Sequence, residues 1–460
     1  MPSHARTWRA VCFALLVVSL LALIQLASAQ VIKRGAIGRK LPAPAQPTAG
    51  QVLISEFRLD GPNGFYDEFM EFYNNTDQDI IVAASDGSGG WAVGLARLCG
   101  ICPTQEVVTT YFTIPDGTLI PARRHLLWTN TYTDAGNVYR GYSLKDYGGT
   151  NAAAGDLTFN GQTYTVDFGD GHMNGVALFT STNPANWSLA TRLDAVGAQG
   201  GTNPLFIEGT GVFGFFGDLS ANSSSSVPQY ALVRRQASGV PQDTDNNAND
   251  FDLVSNIGSI TTDGPGSTFN VTLGAPGPEN TQSPIQRNAT IKAALIDSGC
   301  TTTTVGPNAT PTGGTCPRVR DVTPATNAAN GTLSIRRAFK NSTGQSVTRL
   351  RFRIVDITTL NSPGGPQADL RALSSNNVSA VCVSTGLGCP SAGAPVTING
   401  TTLEQPPTQS LGGGLNSSLA VGTITMTAPL ASGATINLQF LLGVQQGGTY
   451  RFLVNVEALP

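Results

Sequence analysis

Oxygen-bearing side chains recur through Asp243-Thr-Asp245-Asn-Asn247-Ala-Asn249-Asp250-Phe-Asp252. Carboxylates and amides spaced in this way can converge on one hard cation, and Ca²⁺ takes about six to eight oxygens. The opening D-x-D-x-N matches the start of an EF-hand loop. Ala248 stands where that loop has glycine, however, and Val254 where it has glutamate. The segment is therefore a candidate calcium loop of another kind, with Asp243, Asp245, Asn247, Asn249, Asp250 and Asp252 as ligands, or a polar Asx-turn ahead of a strand. Asp167-Phe-Gly-Asp-Gly171 is a weaker candidate and reads as a turn.

Glu56, Glu68 and Glu71 lie close together among apolar residues. Two carboxylates brought side by side can act as general acid and base, or hold a divalent metal in a hydrolase or nuclease. Glu56, flanked by apolar strand residues, can equally be a structural group hydrogen-bonded within a sheet. Cys99-Gly-Ile-Cys102 has the spacing of a redox dithiol, which needs a helix starting at the first cysteine. Pro103 follows at once, with Thr and β-branched residues beyond it, so a loop disulfide is expected instead. Arg349, Arg351 and Arg353 share one face of an expected strand, and Leu350, Phe352 and Ile354 share the other. That stripe could bind an acidic polymer or dock an acidic part of the same chain. Without interleaved aromatics, a solvated face is the expectation. The chain carries no G-x-S-x-G, H-E-x-x-H or P-loop. Beyond residue 30 only His125 and His172 remain, which leaves few candidates for histidine catalysis or a zinc site.

The compartment follows from the first 29 residues. Arg6 and Arg9, an apolar run over 11–26 and Ala27-Ser28-Ala29 form a secretory signal peptide, with Gln30 as the expected mature N-terminus. No later stretch is apolar for long enough to span a bilayer. Cys12 falls inside the leader, so six cysteines remain in an exported chain, where disulfides are the rule. They form three sequence-local couples: Cys99 with Cys102, Cys300 with Cys316, and Cys382 with Cys389. The expected destination is the periplasm or the cell exterior.

Charge divides the remainder. Residues 30–50 are basic and rich in Pro and Ala, as in an extended linker. Residues 51–282 hold 24 acidic and 9 basic side chains, a net −15, and residues 283–460 hold 6 and 12, a net +6. Two domains of different character are expected, 51–282 and 283–460. An acidic domain repels nucleic acid and attracts cations. With 53 Gly, 28 Pro and only 12% charged residues, a helical bundle or coiled coil is excluded. Strands are expected at 52–57, 65–74, 80–82, 91–93, 112–114 and 126–128. In the second half they are expected at 332–339, 346–357, 378–384, 419–427, 435–444 and 449–457.

Ile54-Ser-Glu56, Asp67-Glu-Phe-Met-Glu-Phe-Tyr-Asn74, Ile80-Ile-Val82, Trp91 and Pro115-Asp-Gly-Thr-Leu-Ile-Pro121 together resemble a lamin tail domain. Ala231-Leu-Val-Arg-Arg235, the 243–251 segment and Leu273-Gly-Ala-Pro-Gly-Pro278 are similar to the closing region of secreted bacterial members. The resemblance covers about 51–130, a piece around 174–198, and 228–280. Residues 131–173 and much of 200–227 stand as insertions. The resemblance implies an immunoglobulin-like β-sandwich without catalytic machinery, and so favours a structural role for Glu56, Glu68 and Glu71.

The expected protein is all-β, with two immunoglobulin-like β-sandwiches in tandem after a signal peptide. Its expected function is a secreted, non-catalytic binding or structural module of the cell exterior, with calcium as the one cofactor candidate. The expected partner is an extracellular protein or polysaccharide rather than nucleic acid, and no integral membrane segment is expected in the mature chain. The competing reading is a metal-dependent hydrolase or nuclease, or its accessory module.

Overall fold

The computed structural model describes residues 46–58, 61, 68–99, 102–134, 137–140, 154–160, 173–199, 201–212, 229–261, 268–296, 318–360, 368–380, 396–404 and 409–460. The expected signal peptide, most of the expected linker and Cys300, Cys316, Cys382 and Cys389 lie outside them, as do the candidate residues 167–171. The described chain is built from β-strands, with helix only in single turns such as Asn247–Asp250. Residues 46–460 form one unit.

Alternation in the sequence becomes alternation across a sheet. Phe69–Asn74 lies between Val52–Arg58 and His125–Asp134 in an eight-stranded sheet. Met70 and Phe72 point to one side, together with Leu126 and Trp128. A four-stranded sheet of Arg192–Gly197, Met173–Phe179, Gly90–Cys99 and Cys102–Pro115 covers that side, supplying Trp91, Val93, Val176 and Leu178 to the shared core. At the centre, Phe112 stacks on Trp128 with ring centroids 4.3 Å apart.

The second half repeats the layering. Phe452–Leu459, Arg349–Ile357 and Ser418–Ala420 lie in one five-stranded sheet, and Thr332–Asn341 and Thr435–Gln446 in another. Leu350, Phe352 and Ile354 face Phe339, Leu438 and Phe440 between them. The strand expected over 419–427 ends at Ala420, because a turn follows at once in which Ile424 N donates to Val421 O.

Each half also contains the same turn. Asn74-Asn-Thr-Asp-Gln78 and Asn341-Ser-Thr-Gly-Gln345 both follow a core strand. In each, the asparagine Nδ2 donates to the carbonyl of the glutamine four residues on and to a distant loop, Ile120 O or Leu430 O, at 2.7–2.9 Å. Its Oδ1 accepts from the threonine two residues on.

One irregularity decides what the eight-stranded sheet shows on its far side. The pairing of Val52–Arg58 with Phe69–Asn74 shifts register between Ile54 and Glu56. Val52, Ile54 and Phe57 therefore reach the core, while Glu56 turns away from it. Phe69, Leu127, Ala231, Val233 and Val254 make a second apolar face there, against which Leu415 of the other half packs.

Candidate functional site

The 243–252 segment does not close around one point. Asp250 is fully buried and organises its own loop, accepting from Gln242 Nε2, Thr244 N and Thr244 Oγ1 at 2.8–3.0 Å. Asn247 is also buried, and its Oδ1 accepts from Gly197 N and Glu208 N, both at 2.9 Å. Its Nδ2 donates to Ala195 O at 2.8 Å. Asp252 is committed to Arg235, 2.7 Å away. Asn249 is exposed, and its carbonyl accepts from Arg235 and Gln242. Asp243 and Asp245 remain at the surface, Asp245 with a positive φ of 52°. Asn247–Asp250 forms one helical turn and Phe251–Ser255 continues as a strand, which separates residues that a cation would need on one side.

A residue from another loop completes the corner. One ligand oxygen each from Glu208, Asp243 and Asp245 lies within 4.8 Å of the others. Local packing carries Glu208 there. The outer face of the four-stranded sheet is lined by small residues, Ala92, Ala96, Ala177 and Ala195, and Phe179, Trp187 and Phe206 fill it. Phe206 occupies the space above Gly175, where a Cβ would fall 2.6 Å from its carbonyl oxygen. The loop that follows then pairs with the acidic segment, Asn247 N to Glu208 O and Ala248 N to Thr210 O.

Charge around this corner is unbalanced. Arg234, fully buried over the ring of Phe251, binds Asp194 at 2.5 Å and stands 3.7 Å from Asp243 and 3.8 Å from Asp250. Arg192 holds Glu208 Oε1 at 3.0 Å. Two guanidiniums thus serve five carboxylates. Burial first, then the Asp194 and Asp243 charges, push the Glu208 carboxyl up to about 9. Burial also raises Asp194, against the pull of Arg234.

The other sequence candidates meet elsewhere. Glu56 and Glu71 stand opposite each other on neighbouring strands, on the face turned away from the first core. Arg351 and Arg353 project from the second half toward them and are only 1% and 4% exposed. The expected solvated stripe is therefore a buried layer for these two, and only Arg349 lies at its rim, 3.5 Å from Glu404. Glu457 receives Arg351 Nε at 2.5 Å and Arg353 Nε at 2.9 Å. Glu279, in the connection between the halves, pairs with Arg351 and with Arg353. His125 lies between two carboxylates, Nδ1 2.8 Å from Glu71 and Nε2 3.1 Å from Glu279. Glu56 accepts from Gly277 N and Asn416 Nδ2, at 2.8 and 3.0 Å. Burial, reinforced by Glu71, pushes Glu56 up to about 8. Burial would also raise Glu457, but Arg351 and Arg353 outweigh it and hold that carboxyl below its ordinary value.

Glu68 is buried and accepts from Tyr111 Oη. Cys99 and Cys102 are register partners at the tip of a strand hairpin, so no helix begins at Cys99 as a redox dithiol would require. Their side chains lie outside the described residues. Among the described residues no helix is long and apolar enough to cross a membrane.

Glu208, Glu279, Asn416 and Glu457 were not singled out from the sequence. Glu208 sits on a different loop from its partners, in a stretch that reads as an insertion, so spacing gives no signal for it. Protein-family models and curated proteins were both compared with the chain, and neither gave a match.

Proposed function

We propose that this chain is a secreted, non-catalytic binding or structural module of the cell exterior, in which a lamin-tail-like sandwich and a second immunoglobulin-like sandwich act as one rigid body. One observation carries the reading. The groups that the sequence offers for acid–base chemistry or for an anionic ligand, Glu56, Glu71, Arg351 and Arg353, bind protein partners in a buried layer. Glu56 is buried and held by Gly277 N and Asn416 Nδ2, out of reach of a substrate. A scaffold of stacked sheets tied by such a layer suits load bearing or display of loops. The leader-like 1–29 segment supports export, and the three cysteine couples would then close local loops.

The test is a binding screen of the purified protein on cell-wall, glycan and cell-surface preparations, run beside hydrolase and nuclease assays with divalent metals. Retention on one exterior preparation without turnover is expected. Turnover that survives purification and disappears in the Glu68→Gln/Glu71→Gln variant would overturn the reading in favour of a metal-dependent hydrolase.

A further inference from the structure

We infer that Glu208, Asp243 and Asp245 form a site for one hard divalent cation of calcium's size, which clamps the 201–212 loop onto the 243–252 loop. The geometry fits a shared ion. Calcium–oxygen bonds are about 2.4 Å long, so two ligands of one ion lie up to about 4.8 Å apart. The three carboxylates meet that limit pairwise.

A second observation is independent of the clustering. The Glu208 side chain is 95% buried, at 5% exposure, and Arg192 reaches only its Oε1. Its Oε2 is buried and has no hydrogen-bond partner. A buried carboxylate oxygen without a donor is costly, and a cation would supply what the fold does not. Asn246 Oδ1, next to Asp245 in the chain, is a second buried acceptor without a donor.

Charge agrees. Asp194, Glu208, Asp243, Asp245 and Asp250 face Arg192 and Arg234. Arg235 cannot help, because it is bound to Asp252. The acids of this corner outnumber its guanidiniums. Exposure of Asp243 and Asp245 gives the ion a path in and leaves room for water ligands. Calcium accepts such an irregular, partly hydrated shell, whereas magnesium demands a near-ideal octahedron. The site keeps two of the six residues that spacing suggests, Asp243 and Asp245, and adds one from a distant loop.

The experiment is calorimetric titration of the EDTA-stripped full chain with CaCl₂, and separately with MgCl₂, followed by thermal unfolding in each state. One calcium per chain is expected, with a dissociation constant of about 10⁻⁴–10⁻³ M as in extracellular modules. The unfolding midpoint should rise by about 1–3 °C at about 10 mM calcium. Asp243→Asn/Asp245→Asn, both at the surface, should fold normally and weaken calcium at least about tenfold, and Glu208→Gln should do the same. Should Glu208→Gln fail to fold, the surface pair decides. No heat and no midpoint shift in the wild-type chain would overturn the site. So would calcium binding that is unchanged in Asp243→Asn/Asp245→Asn, and an equal response to magnesium would overturn the assignment to an ion of calcium's size.

Discussion

Two acidic clusters lie in this molecule, and they are built differently. At the junction of the halves, Glu56, Glu71, Glu279 and Glu457 meet Arg351, Arg353 and the His125 ring, with Asn416 and Gly277 filling the gaps. At the far corner, five carboxylates share two arginines, and one buried oxygen of Glu208 has no partner. In the first cluster every acidic side chain has an ion-pair or hydrogen-bond partner. The second is open and short of positive charge. Residue type does not separate a structural cluster from a binding site here, since both are Asp/Glu-rich and both contain arginine. The balance of partners does.

The largest test of that contrast is Arg353→Met. It leaves Glu457 and Glu279 buried with one guanidinium fewer, and a cost of about 3–5 kcal/mol is expected in urea unfolding. The double variant Arg353→Met/Glu457→Leu should cost less than Arg353→Met alone, because it removes the stranded charge as well. A double variant that is worse than the single one would mean that the layer is not a closed charge balance.

The twin turns come next. Asn74→Ala and Asn341→Ala each leave one buried carbonyl, Ile120 O or Leu430 O, and a half-buried threonine N–H without their side-chain partner. Each should lower stability by about 1–3 kcal/mol in the same assay. Their near-equal cost would show that the two halves use one device, while a large loss in only one of them would break that equivalence.

A smaller effect is expected from pH. With its carboxyl raised from 4.5 to about 8, Glu56 in the folded chain holds a proton that the unfolded chain has released. Stability on this group's account is unaffected below about pH 4.5 and falls as pH rises toward about 8. Glu56→Gln should flatten the decline of unfolding free energy over this window. A slope unchanged in the variant would show that Glu56 does not carry the proton.

The smallest effect belongs to the open corner. Without calcium, Asp243→Asn/Asp245→Asn should change stability by less than about 1 kcal/mol, or raise it slightly, because the variant relieves repulsion between exposed like charges. A loss of several kcal/mol in EDTA would place these aspartates with the structural cluster instead.

Much of the architecture was legible as period-two segments. Phe69–Asn74 and Arg349–Ile357 alternate as expected, with Met70, Phe72, Leu350, Phe352 and Ile354 in the cores. Alternation reads one strand at a time, however, and it cannot say what covers the outward face. The Arg351 and Arg353 face has the pattern of a solvated surface, yet a second sheet lies on it. Glu56 is a sharper case. Simple alternation from Val52 and Ile54 would send it into the core, and the register shift at Ser55 reverses its direction.

The amino-acid sequence by itself determined the strand content, the exclusion of helical architectures, the candidate leader and the charge asymmetry between the halves, because these depend on local composition and on a two-residue period. Tertiary structure alone decided which charges meet. Burial and pairing depend on residues far apart in the chain, as when Asn416 reaches Glu56 or Glu208 joins Asp243 and Asp245. Whether a carboxylate is a brace or a ligand is set by its desolvation and its partners, and neither is a local property.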